Sequence, residues 1–181
     1  MTLTAKEFSK LFPKITEHTN NEEVSALIKK LKYVSIDKNQ HIIKDNQKND
    51  TLYFVIEGSL DCCIEKDDSK IIIGKISPGE YVGEVSMLDS KNATSSVITE
   101  TPCILYSLDK ASFNELEKEH PVISGKLVRS ISSLLINRLI STDKLLFDGL
   151  TEHKETNNHH EQSKIDLARD WFVKLYHQLH H

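Results

Sequence analysis

Long apolar runs are missing from this chain. Nowhere do the roughly 18 to 20 consecutive apolar residues needed to span a bilayer occur. The first fifteen residues carry Glu7 and no uninterrupted apolar stretch, which is the pattern of neither a secretory signal nor a membrane anchor. Cysteine is scarce. Cys62, Cys63 and Cys103 make three, an odd number set in apolar strand-like runs, so reduced buried thiols and a cytoplasmic location are expected. Cys62 and Cys63 are neighbours on one strand and face opposite ways, which makes them a poor metal pair. An excess of positive charge is also absent: the net charge is −4 and the isoelectric point near 6.1, against a basic nucleic-acid surface over the whole chain. No nucleophile-elbow or paired-carboxylate motif assembles Ser, His and Asp, and the expectation is a protein that is not an enzyme.

What is present suits one hydrophobic core with a small appendage, in 181 residues. Phe8, Leu11, Phe12 and Ile15 recur at helical spacing around Pro13. Val24, Leu27, Ile28 and Leu31 share the face of a second segment, with Asn20 or Asn21 as N-cap and Glu22 and Glu23 in the first turn. These read as two short helices covering one end of a β-structure. From 33 to 109 the chain reads as strands: Leu52–Ile56, Leu60–Glu65, Ile71–Ile76, Val97–Thr99 and Cys103–Leu108. The turns between them are Glu57-Gly58-Ser59, 66–70 and Ser77-Pro78-Gly79-Glu80. Many short strands with a turn every ten or so residues predict a sandwich, barrel or jelly roll.

Asp109 is placed to cap a short helix carrying Phe113 and Leu116, and His120-Pro121 ends it. A long amphipathic helix follows, with Val128, Ile131, Leu135, Leu139, Thr142 and Leu146 as its stripe. The fold class is therefore α+β, an antiparallel β-roll with N-terminal helices and a long C-terminal helix. Its domain occupies 1–147, followed by a polar linker at 148–162 and an amphipathic helix at 163–181. Ile165, Ala168, Phe172, Leu175 and Leu179 line that helix, with Trp171 beside them. His177 and His181 stand one turn apart, but at a chain terminus such a pair is more often solvated, and no metal site is assigned.

The segment Leu52–Gly58, then Ile76-Ser77-Pro78-Gly79-Glu80-Tyr81-Val82-Gly83-Glu84-Val85-Ser86-Met87-Leu88, then Thr94–Val97 and Cys103–Leu108 resembles the cyclic-nucleotide-binding domain family. Catabolite activator protein and the regulatory subunits of cAMP-dependent protein kinase belong to that family. The resemblance covers about residues 22–147. It implies a short helix that cradles a cyclic phosphate. Gly83 would admit the ligand, Glu84 would accept from a ribose hydroxyl, and the backbone N–H groups of Glu84, Val85 and Ser86 would face the phosphate. Thr94 would touch the phosphate, and Thr142 or Asp143 on the long helix would approach the base.

The family's phosphate-binding arginine, just before the Thr94 position, is replaced by Ala93, and 89–101 contains no arginine in any register. A charged bidentate contact is worth a few kcal/mol, so about two orders of magnitude in affinity are at stake. Lys91 is nearby, as a flexible point charge rather than a planar fork. Two functions follow. The first is a non-enzymatic regulatory or interaction module with a degenerate phosphate site. The second is a genuine cAMP or cyclic-nucleotide sensor signalling through the long helix, with cAMP as its ligand. Homodimerisation through that helix is expected, with a protein partner as a further possibility and no membrane. About 34 residues follow the long helix, short of the three helices of a helix-turn-helix domain, so DNA binding by this chain alone is not expected.

Overall fold

The computed structural model of the chain describes residues 3–66, 69–89 and 91–152. Three helices come first: α1 (Ala5–Leu11), α2 (Pro13–Thr16) and α3 (Asn21–Lys30). Then come β1 (Lys32–Ile36), β2 (His41–Ile43), β3 (Thr51–Glu57), β4 (Leu60–Lys66), β5 (Ser69–Ile76) and β6 (Tyr81–Val82). The short helix α4 (Glu84–Asp89) precedes β7 (Ser96–Thr99) and β8 (Cys103–Asp109), and α5 (Lys110–Glu119) and α6 (Pro121–Glu152) end the described chain. Two compact units divide it, Met1–Ser130 and Ile131–His181. The helix α6 reaches into the segment expected to be a linker, and from 153 onward the expected linker and terminal helix lie outside the described residues.

Local chemistry sets the helix starts. Thr4 and Glu7 form a reciprocal capping box on α1. Asn20 Oδ1 accepts from the Glu23 amide at 2.9 Å to open α3. Asp109 Oδ1 accepts from the Ser112 amide at 2.8 Å to open α5. Asp109 is the cap expected from sequence, and of the two candidates for α3 it is Asn20 rather than Asn21.

The strands form two four-stranded antiparallel sheets, ordered β1-β8-β3-β6 and β2-β7-β4-β5. Strand alternation separates two apolar layers. Val55, Val82, Cys103 and Leu105 of the first sheet meet Ile43, Leu60, Ile76 and Val97 of the second inside the roll, and Ala93 joins this cluster. On the other side of the first sheet, Phe54 packs at 5.6 Å from Phe8, 5.2 Å from Phe12 and 5.9 Å from Tyr81, measured between ring centres. Phe8 of α1 and Phe12 after it thus cover the face of a sheet, because Phe54 alternates outward from a strand whose Val55 points in.

On the long helix Ile131 of the expected stripe is fully buried, but the buried face starts earlier than read from sequence. Its buried residues in the first unit are Ile123, Ser124, Leu127 and Ser130, with Val128 only half-buried. The apolar stripe therefore begins at Ile123, five residues before the Val128 start read from sequence. Within the second unit, Ile136, Leu139 and Ile140 are 56%, 48% and 60% exposed. All three cysteines are free thiols, and burial raises that of Cys63 to about 11. No helix among the described residues is long and apolar enough to cross a membrane.

Candidate functional site

The site is built at the junction of β3, β6 and α4. Ser77-Pro78-Gly79-Glu80 is a turn closed by the Glu80 amide on the Ser77 carbonyl at 3.1 Å, with Gly79 at φ +87°. That is the geometry Pro followed by Gly favours in a type II turn. The Glu80 side chain returns to the Ser77 amide at 2.7 Å. The chain then pairs with β3, Val82 opposite Tyr53 and Tyr81 opposite Phe54.

Gly83 follows with φ +90° and hands the chain to α4, whose Met87 amide donates to the Gly83 carbonyl at 3.1 Å. A Cβ at Gly83 would overlap the carbonyl oxygen of Thr51 and come within 2.8 Å of Asn49 Nδ2. The fold itself therefore demands this glycine, before any ligand is considered.

Residues 84–86 occupy the first turn of α4, where amides have no partner within the helix. Glu84 is 4% exposed, and Ser86 is also buried. Both side chains are already enclosed by protein. Val85 is half-buried.

Ala93 and Thr94 lie on the strap between α4 and β7. The Ala93 backbone is tied on both sides: its amide donates to the Gln47 carbonyl at 2.9 Å, and its carbonyl accepts from the Asn46 amide at 2.8 Å. Its side chain is 5% exposed and shares the apolar cluster with Val82, the residue before Gly83. The structure thus brings the end of β6 and the strap into one cluster, and what the strap contributes there is a methyl group. Thr94 is half-buried. Ser95 Oγ lies 3.0 Å from Cys62 Sγ. Lys91, the only basic residue between 89 and 101, lies 3.1 Å from Asp89. Thr142 is on α6 in the second unit, and its hydroxyl donates to the Arg138 carbonyl at 2.9 Å, the usual back-bonding of a mid-helix threonine.

Three contacts around the cradle escaped sequence reasoning. Tyr81 Oη lies 2.9 Å from Ser130 Oγ in a buried pair, which links β6 to α6. Lys110 Nζ donates to the Met87 carbonyl and so holds the end of α4 from α5. On the second sheet, Glu65 accepts from Ser96 Oγ at 2.9 Å and lies 3.2 Å from His41 Nε2. Those bonds hold its carboxyl below the ordinary range. Each joins residues far apart in sequence, and none belongs to a motif.

The cyclic nucleotide-binding domain profile matches residues 33–120. Those 88 residues, just under half of the 181-residue chain, are similar to that family's domain. The mouse potassium/sodium hyperpolarization-activated cyclic nucleotide-gated channel 2 is 31% identical over 116 residues, covering 64% of this chain and 12% of the channel. This chain thus spans only a small part of the curated relatives it matches. Among solved structures, a cyclic nucleotide-binding domain from Methylobacillus flagellatus superposes with a TM-score of 0.69 at 19% identity, covering 86% of this chain and 88% of that one. The regulatory subunit of a cAMP-independent protein kinase A from Trypanosoma brucei is similar with a TM-score of 0.58 at 20% identity, covering 75% and 50%. It was solved as a triple variant bound to cAMP in its A site, and one of the three changes puts arginine in place of threonine.

Proposed function

We propose that this domain is a non-enzymatic regulatory and interaction module whose nucleotide cradle has lost its phosphate clamp. One observation carries the reading: Ala93 stands where the family has arginine, and its methyl group sits in the apolar interior of the roll. A cyclic phosphate placed there has amides to meet but no guanidinium, and a buried anion so poorly compensated binds weakly. The Trypanosoma variant with cAMP in its A site carries an introduced arginine, the kind of change this reading calls for at Ala93. The output of the module is α6, reached from the cradle through Tyr81 and Ser130. A second reading, a working cyclic-nucleotide sensor, is favoured by Glu84 in the first turn of α4. Gly83 no longer favours it, since packing against Thr51 accounts for that residue.

Calorimetric titration with cAMP separates the two. The wild type should bind no better than about 100 μM. Ala93→Arg should tighten binding by up to about 100-fold if its stem clears Val82 and Val97, because two charge-assisted bonds are gained. The same change should lower stability without ligand by about 1–3 kcal/mol, the cost of overpacking an apolar site. Submicromolar binding by the wild type would overturn the degenerate-site reading.

A further inference from the structure

We infer that Glu23 is the N-terminal cap of α6, supplied from another helix, and that it makes α3 a clamp on the start of the long helix. The helix begins with Pro121, which has no amide hydrogen, and its first internal bond runs from the Ser124 amide to the His120 carbonyl at 3.2 Å. His120 is therefore the residue in the cap position. Its ring offers no carbonyl, carboxylate or hydroxyl oxygen to the third helical amide, that of Ile123. Glu23 fills this gap from a hundred residues away, with Oε2 accepting from the Ile123 amide at 3.1 Å. Its other oxygen lies 3.6 Å from His120 Nδ1. The carboxylate also lies at the positive end of the α6 dipole.

The residue has two roles at once. Its own amide is held by Asn20 Oδ1 in the cap of α3, while its side chain caps α6. At the opposite end of α3, Lys30 bridges Glu115 at 2.9 Å and Glu119 at 3.1 Å on α5. Helix α3 is thus held at both ends to the α5–α6 corner. Ile123 is fully buried, so removing the carboxylate leaves its amide without this acceptor. A displacement of the N-terminal helices must then break the cap and loosen the first turn of α6. The N-terminal helices gate the same output helix that the cradle reaches through Tyr81, by a separate contact. This inference stands whether or not a nucleotide binds.

Amide hydrogen exchange on the full chain tests it, with Glu23→Ala, Glu23→Asp and Glu23→Gln compared with wild type. Glutamine keeps an oxygen at the same reach and should hold exchange at Val122–Ser124 within about threefold of wild type. Alanine removes the acceptor and aspartate falls one methylene short. Both should speed exchange there by roughly tenfold, the effect of losing a cap, and should speed exchange in α3 alongside it. The amides of Phe54 and Leu105 in the roll should keep their rates in all three. Wild-type exchange at Val122–Ser124 in the alanine and aspartate variants would overturn the inference. So would an equal rise across the roll, which would mark a general loss of stability, or a glutamine variant as fast as alanine.

Discussion

Replacing Gly83 with alanine is expected to damage the fold with no ligand present, and its magnitude follows from two features of the backbone. An L-residue held at φ +90° is strained by roughly 1–3 kcal/mol. The new Cβ also overlaps the Thr51 carbonyl of β3, a backbone atom that cannot rotate away. Strand β3 lies inside its sheet between β8 and β6, so relief must come from shifting packed backbone, at roughly another 1–3 kcal/mol. The total is about 2–6 kcal/mol, a large share of the stability of a small domain.

Gly125→Ala is the control. Gly125 lies in α6, and a methyl group added there would meet nothing within 4 Å, so helix propensity alone should act and stabilise by about 0.8–1 kcal/mol. Urea denaturation of both variants and wild type, without nucleotide, should therefore give shifts of opposite sign. The reasoning is refuted if Gly83→Ala unfolds at the wild-type midpoint and only its ligand or partner affinity falls.

Asp109 is held at about 2, below its ordinary 3.8, first by its hydrogen bond from Lys32 and then by the bonds from Ser112. A lowered folded-state value means that the carboxylate contributes stability above about pH 4 and loses it as pH falls toward 2. The shift corresponds to about 2 kcal/mol, and because Lys32 is largely exposed the effective contribution is nearer 1 kcal/mol. Asp109→Asn keeps the cap but not the charge, and should flatten the stability profile between pH 4 and 2; an unchanged profile contradicts the assignment. The exposed Ile136, Leu139 and Ile140 of α6 are expected to bury themselves against a second copy. Sedimentation at micromolar concentration should show a dimer that Ile136→Glu with Ile140→Glu dissociates, and a wild-type monomer would rule this out.

Much of the fold was legible before the structure because its signals are local. The Pro-Gly turn at 78–79, the caps Asn20 and Asp109, the break at His120-Pro121 and the alternating apolar strands each declare themselves within a few residues. The absence of arginine from 89–101 was equally visible.

What only tertiary structure decided are the properties that depend on residues distant in the chain. Gly83 looked like a ligand-approach glycine, and it is Thr51, thirty-two positions earlier, that requires it. The stripe of α6 begins at Ile123 because its start is buried against the rest of the first unit, and helical periodicity alone leaves the starting turn open. Glu23 read as an ordinary first-turn acid of α3, and only the approach of α6 shows its carboxylate capping a second helix. Sequence records which groups can bond. Which of them meet is set by the packing of sheets and helices, since side chains a hundred residues apart share no local pattern.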